Sequence, residues 1–186
     1  NDPFSNVKDI YVTGSPLFEK TKTIEKYNIK NRDSIIYACG SGDYKETKMF
    51  IESLSSMQNK YKIVIKIHPH VTDEPYKEIV SGHKVTVIPA HAVFEDLLND
   101  AKIVISMLSE ASLHSIIRDI PSLFIITEKK FFKILNEMYD INKHEKEALV
   151  VKDKKSLFSI VNKILTSNAY REKHVILQNQ FIDRNI

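Results

Sequence analysis

The residues best suited to chemistry lie at two strand ends. The run Tyr61-Lys-Ile-Val-Ile-Lys-Ile-His-Pro-His70 reads as an apolar strand that stops at His68-Pro69. In an open parallel sheet, ligands sit outside the C-terminal ends of the strands. Side chains alternate along a strand, so Ile63, Ile65 and Ile67 share one face, and Lys66 points the same way as His68 if the strand continues that far. Such a pair suits a diphosphate or a leaving phosphate, with His68 as donor or general acid near neutral pH and Pro69 restricting the backbone that follows. The competing reading is a His68 that only caps the strand end and a Lys66 that snorkels.

The second stretch, Lys102 to Pro121, reads as a strand, a Ser-rich turn, a helix and a proline that opens the next strand. Ser109 falls at the turn, beside the first free N–H groups of the helix, where an anion would meet backbone donors, the positive end of the helix dipole and a hydroxyl. Ser112 follows one turn later on the same side. Helix capping by Ser109 is the plainer role and is compatible with phosphate binding. A third loop, Gly40-Ser41-Gly42-Asp43, also follows a strand, and its glycines allow close backbone approach to a ligand. Its spacing is neither GxGxxG nor GxxxxGK[ST], so alone it is a weak signal.

Positioning these groups requires alternating strands and helices, and the chain supplies them. Short β-rich runs are predicted at Ile10 to Thr13, Ser34 to Cys39, Lys62 to Ile67, Val85 to Ile88, Ile103 to Ser106, Ser122 to Ile126 and Leu149 to Val151. Helical periods are predicted over Tyr44 to Gln58, where Phe50, Leu54 and Met57 share a face, and over Val93 to Asn99, Glu110 to Arg118, Lys130 to Tyr139 and Lys155 to Leu165. Ser15-Pro16 would start a helix reaching about Tyr27, and Asp153 would cap the helix carrying Leu157, Ile160, Val161 and Ile164. The alternation implies an α/β fold of Rossmann-like, three-layer type around a mostly parallel sheet. The domain spans 9–166, after a connector at 1–8 and before a helical tail at 167–186 whose apolar anchors Val175, Ile176, Leu177, Phe181 and Ile182 suggest packing on a surface outside this sequence.

A length of 186 residues suffices for one well-buried domain, and 42% hydrophobic with 27% charged residues is ordinary for a globular protein. No apolar run approaches the roughly 20 residues of a membrane span. With 27 basic and 24 acidic residues interspersed, the net charge of +3 does not argue for nucleic acid. Lys129-Lys130 and Lys152-Asp-Lys-Lys155 read as solvated helix starts, with weak peripheral attraction to an anionic inner membrane face as the alternative. The lone Cys39 sits in an apolar strand and cannot form an internal disulfide, which fits a reducing cytoplasm. The sequence opens at Asn1 without Met or a leader, as a piece of a longer chain would. No HxxxH, CxxC or carboxylate cluster points to a bound metal, so neither metal nor cofactor is expected.

Four motifs in order, VTGSP (Val12 to Pro16), KIHP (Lys66 to Pro69), LLNDAKIVIS (Leu97 to Ser106) and S…LHSIIRDIP (Ser109 to Pro121), resemble the C-terminal, nucleotide-sugar half of GT-B glycosyltransferases. The pattern is most similar to bacterial surface-polysaccharide enzymes: teichoic-acid glycerophosphotransferases, capsule transferases, and sialyl- and polysialyltransferases with His-Pro and Ser motifs. The resemblance spans residues 7 to 165. It implies inverting, metal-independent transfer of a sugar or sugar-like group from a nucleotide-activated donor to a surface glycan. His68 would contact the donor phosphate and assist the leaving group, Pro69 would set its loop, Ser109 and less directly Ser112 would hold the phosphate, and Pro89 and Ala90 would read the nucleobase through backbone groups.

Two departures qualify the resemblance. Where many of these enzymes carry an acidic residue for ribose hydroxyls, this chain has His114, which cannot clamp a diol as a carboxylate does. The N-terminal Rossmann-like half, which usually supplies the acceptor site and the catalytic base, does not fit within 186 residues. The chain alone is therefore expected to bind nucleotide and to catalyse poorly or not at all. Nucleotide-sugar 2-epimerases share the fold but have a Gly-rich turn where this chain has Ser109-Glu110-Ala111; a non-catalytic binding module is the third reading.

Overall fold

The computed structural model describes residues 32–107, 109–129, 132–133, 136–137, 142–143 and 149–185. The strand predicted at Ile10 to Thr13, the helix after Ser15-Pro16 and the VTGSP motif lie outside them, as does most of the helix predicted over Lys130 to Tyr139. In chain order the elements are β1 (Ser34–Ala38), α1 (Tyr44–Leu54), a 3-10 turn (Ser55–Met57), β2 (Lys62–Lys66), α2 (Glu74–Val80), β3 (Val85–Ile88), α3 (Phe94–Leu97), β4 (Ala101–Ser106), α4 (Glu110–Ile117), β5 (Ser122–Ile125), β6 (Val150–Val151), α5 (Lys154–Thr166) and α6 (Asn168–Asn185).

The strands form one parallel sheet in the order β3-β2-β1-β4-β5-β6. This is the α/β, Rossmann-like architecture inferred from the alternating periods. β1, β4 and β5 are buried along nearly their whole lengths, as strands covered on both faces must be, which is why SIIYA, AKIVIS and SLFI read as nearly unbroken apolar runs. The apolar side of α1 packs on one face of the sheet through Phe50, Leu54 and the following Met57, with the ring of Phe50 stacked on Tyr37 at 5.1 Å. Asp153 caps α5 as predicted, accepting a hydrogen bond from the Ser156 amide at 2.9 Å.

Two elements differ from the sequence reading. α2 was not anticipated, because Tyr76 is its only fully buried side chain and one anchor makes no visible period; Asp73, Glu74 and Pro75 are the start signals that mark it. The terminal helix α6 was expected to dock on a surface outside this sequence, but it closes over this chain's own sheet. Gln178 accepts from the Ser122 amide and donates to the Ile120 carbonyl, both at 2.9 Å, while His174 Nε2 donates to the Ser122 carbonyl at 2.8 Å. Phe181 is buried against Phe124, with ring centroids 5.5 Å apart. The polar anchors His174 and Gln178 hid this docking, since neither belongs to an apolar stripe.

Candidate functional site

β1 is the point where the winding of the sheet reverses: the chain leaves it toward β2 and β3 on one side, then returns through β4 to build the other. At such a switch point two neighbouring loops diverge from adjacent strand ends and leave a crevice between them. A cleft of about 510 Å3 occupies this place, within the range of small-molecule sites. Its walls are the ends of β1 (Ala38, Cys39) and β2 (Lys66 to His70), the α3 segment (Ala92, Phe94, Glu95) and the start of α4 (Ser109 to Ala111, and His114).

The His68-Pro69 loop is one wall. His68 is half-buried, and its Nδ1 accepts a hydrogen bond from the His70 amide at 3.2 Å. In the neutral ring the proton therefore sits on Nε2, which is left as a donor. Lys66 is almost fully buried, and its Nζ donates to the carbonyls of Ile67 at 2.7 Å and Ala90 at 2.9 Å. Burial lowers its pKa from the usual lysine value. Its ammonium thus clips the end of β2 to the loop after β3, and two of its three N–H donors are used in doing so.

The opposite wall is the entry to α4. Ser109 takes an extended backbone at the N-cap, yet its hydroxyl makes no capping bond, so the group that the sequence could assign equally to capping or to anion binding is not spent on the cap. Ser112 does not join it. Its side chain is buried and bonded to the Ser106 hydroxyl and, at 3.3 Å, the Met107 carbonyl, so it fastens the turn to β4 from beneath. His114 does reach the cleft, between two carboxylates: Nδ1 lies 3.2 Å from Glu95 Oε1 and Nε2 lies 3.7 Å from Glu110 Oε1. Acidic groups are therefore present beside the position where the resemblance implied one, although His114 itself is not acidic. Glu110 stands one helical turn before His114 and is legible from that spacing, whereas Glu95 comes from another helix and is not.

Gly40, Ser41 and Gly42 do not line the cleft; they form its support. Gly42 has φ +81, a left-handed turn that glycine adopts without strain. The loop is pinned by Asp43, whose buried carboxylate accepts from Tyr37 Oη at 2.6 Å, the Gly40 amide at 2.7 Å and Tyr76 Oη at 3.1 Å. Burial pushes Asp43 above its ordinary carboxylate pKa despite these three donors. Burial also raises both phenols, which keeps them protonated as donors. Cys39, on the cleft floor, is a thiol whose pKa burial raises well above the ordinary value, so it is an inert apolar contact. Pro89 and Ala90 are likewise set back, with Ala90 engaged by Lys66 and the Pro89 carbonyl accepting from the Ala92 amide at 3.1 Å. Among the described residues, no group of three or more His, Cys, Asp or Glu is arranged to hold a metal ion, and no helix is long and apolar enough to cross a membrane.

No protein-family model and no curated protein sequence matches the chain. Solved structures do. A wall teichoic acid polymerase, TagF, in a variant soaked with CDPG, aligns at a TM-score of 0.59 and 16% identity over 91% of this chain and 41% of its own. The shared fold is Rossmann-like, as in one half of a GT-B fold. The UDP-GlcNAc 2-epimerase of Neisseria meningitidis, bound to UDP-GlcNAc, aligns at 0.55 and 15% identity over 82% of this chain and 41% of its own. The glycosyltransferase SnogD of Streptomyces nogalater aligns at 0.52 and 13% identity over 81% and 39%. This chain thus spans about two fifths of the length of these proteins.

Proposed function

We propose that this chain is the donor-binding half of a GT-B-type glycosyltransferase, which transfers a sugar or sugar-like group from a nucleotide-activated donor to a surface glycan. One observation carries the reading: the unspent Nε2–H of His68 and the uncapped start of α4 at Ser109 line the same cleft at the switch point of the sheet. A donor phosphate between them would receive the imidazole N–H, the Ser109 hydroxyl and the backbone N–H groups of the first turn of α4. As the bond from the transferred group to the phosphate oxygen breaks, negative charge grows on that oxygen, and these donors stabilise it. Lys66 acts by holding the loops around His68 and Ala90, with one N–H left for the phosphate. Glu95, Glu110 and His114 form the acidic side of the cleft, suited to sugar or ribose hydroxyls. The acceptor and its base come from a second Rossmann-like half.

Calorimetry and thermal shift against CMP, CDP, UDP and GDP, followed by CDP-glycerol, CMP-sialic acid and UDP-sugars, test the reading. A selective response to one base is expected. His68→Ala and Ser109→Ala should each weaken that response about 10-fold to 100-fold, the loss of one charge-assisted hydrogen bond of about 1.5–3 kcal/mol, with little change in melting temperature without ligand. Binding unchanged in both variants, with stability lost in His68→Ala, would assign His68 a structural role and sink the proposal. The alignment with the UDP-GlcNAc 2-epimerase favours isomerisation as the second reading. Product analysis separates the two, since an epimerised nucleotide sugar means isomerase and free sugar or transfer product means transferase.

A further inference from the structure

A second cavity, of about 390 Å3, opens at the other end of the sheet, where β2 and β3 begin. Its described lining comes from two segments, 58–63 and 83–86, and includes Lys60, Lys62, Lys84 and His83 with no acidic residue. Elsewhere in the chain opposite charges meet: Lys77 pairs with Glu74, and Lys154 with Glu52. Among the described residues, none of the three cavity lysines has a carboxylate partner; Lys60 lies over the ring of Tyr61, 5.4 Å from its centroid. Glu52 is already engaged by Lys154.

The surrounding backbone is held in place. Gly82, at φ +79, turns the chain out of α2, the His83 amide donates to the Val80 carbonyl at 2.9 Å, and the Lys84 amide donates to Gln58 Oε1 at 3.0 Å. The last bond ties the segment carrying His83 and Lys84 to the one carrying Lys60 and Lys62. Ammonium groups without a carboxylate partner among the described residues repel each other around one cavity over distances comparable to the Debye length of about 8 Å at physiological salt. Low-dielectric walls focus their field on whatever enters.

We propose that this cavity is a second anion site, which binds a phosphate group as a phosphomonoester or phosphodiester. Lysine is a point-charge phosphate ligand, and three lysines match the charge and the several acceptor oxygens of a phosphate better than those of a single carboxylate. The site is separate from the donor cleft and does not depend on the proposed transferase function. Lys62 and Lys66 lie at opposite ends of β2, four residues or about 13 Å apart along the strand, so a phosphate here is not the one beside His68. The phosphate could belong to a soluble ligand or to a lipid headgroup.

The test is an amide NMR titration of the chain with inorganic phosphate, alongside sedimentation with phosphatidylglycerol and phosphatidylcholine vesicles. It is repeated on the double variant Lys62→Gln/Lys84→Gln and on Lys60→Gln. Lys60, Lys62 and Lys84 are exposed, so the fold is retained, and a melting curve verifies this. Saturable shifts at amides 58–62 and 83–86, weakened roughly tenfold or more in the double variant and by raising salt, are expected. Sedimentation with phosphatidylglycerol alone, lost in the double variant, assigns the phosphate to a lipid; phosphate saturation without sedimentation assigns it to a soluble ligand. No saturable shift at these amides together with no vesicle binding, or responses equal in wild type and both variants, overturns the proposal.

Discussion

Replacing Asp43 with Ala would remove the acceptor shared by Tyr37, Tyr76 and the Gly40 amide beneath the candidate donor cleft. The three donors do not lose equally. Tyr76 keeps the Gly40 carbonyl at 3.3 Å, whereas the fully buried Tyr37 hydroxyl and the part-buried Gly40 amide have no second acceptor among the described residues. A buried donor left unpaired costs about 1–3 kcal/mol, so two cost roughly 2–6, and relief of a carboxylate that burial already disfavours offsets part of this. A net loss of about 3 kcal/mol follows, or roughly 6–12 °C in melting temperature for a domain of this size. Urea unfolding followed by far-UV circular dichroism measures it. Asp43→Asn keeps an acceptor and should lose about 1 kcal/mol. The pH dependence carries a sign: because burial holds Asp43 above its ordinary value of 3.8, the folded state takes up its proton before the unfolded state does. The stability of the wild type relative to Asp43→Asn should therefore rise as pH falls through the folded pKa, and level off below about 3.8. A loss under about 1 kcal/mol for Ala, or a wild-type advantage that shrinks with acid, would refute Asp43 as the buried anchor of this loop.

Two further predictions concern α6. Burial lowers the pKa of His174, with the Ser122 carbonyl opposing the shift, so the unfolded chain binds the proton first as pH falls below about 6.5. Stability should decline from there until the folded pKa is reached, and His174→Gln should flatten that slope in urea midpoints measured between pH 7.5 and 5.5 on the order of one proton's worth; an unchanged slope would exclude His174 as its source. Phe181→Ala should cost about 3–5 kcal/mol in chemical unfolding, the usual penalty for emptying a buried aromatic site. A change within about 0.5 kcal/mol, typical of surface positions, would mean that α6 does not hold the sheet.

Strands and most helices were legible in the sequence, because a period of 2 or 3.6 residues and a capping residue are encoded within a few positions. All six described strands fall within two residues of their predicted bounds. That the two strand-end loops lie near each other was also legible, since the ends carrying His68 and Ser109 must emerge at the same end of a parallel sheet. Which polar groups remain available there was not. Ser112 and Gly40 match ligand-binding motifs by position, yet they are committed to Ser106 and Asp43, and Lys66 spends two of its three N–H donors on the Ile67 and Ala90 carbonyls. The apolar pattern of α6 likewise could not show whether its partner lay inside the chain, because Ser122, which holds His174 and Gln178, is more than 50 residues away. Local sequence sets backbone conformation through interactions a few residues long, but a hydrogen bond is assigned only when distant segments meet. The fold class and the meeting of these strand ends could therefore be read from one dimension, whereas the division of the motif residues into those that face the cleft and those that hold it together required the packed sheet.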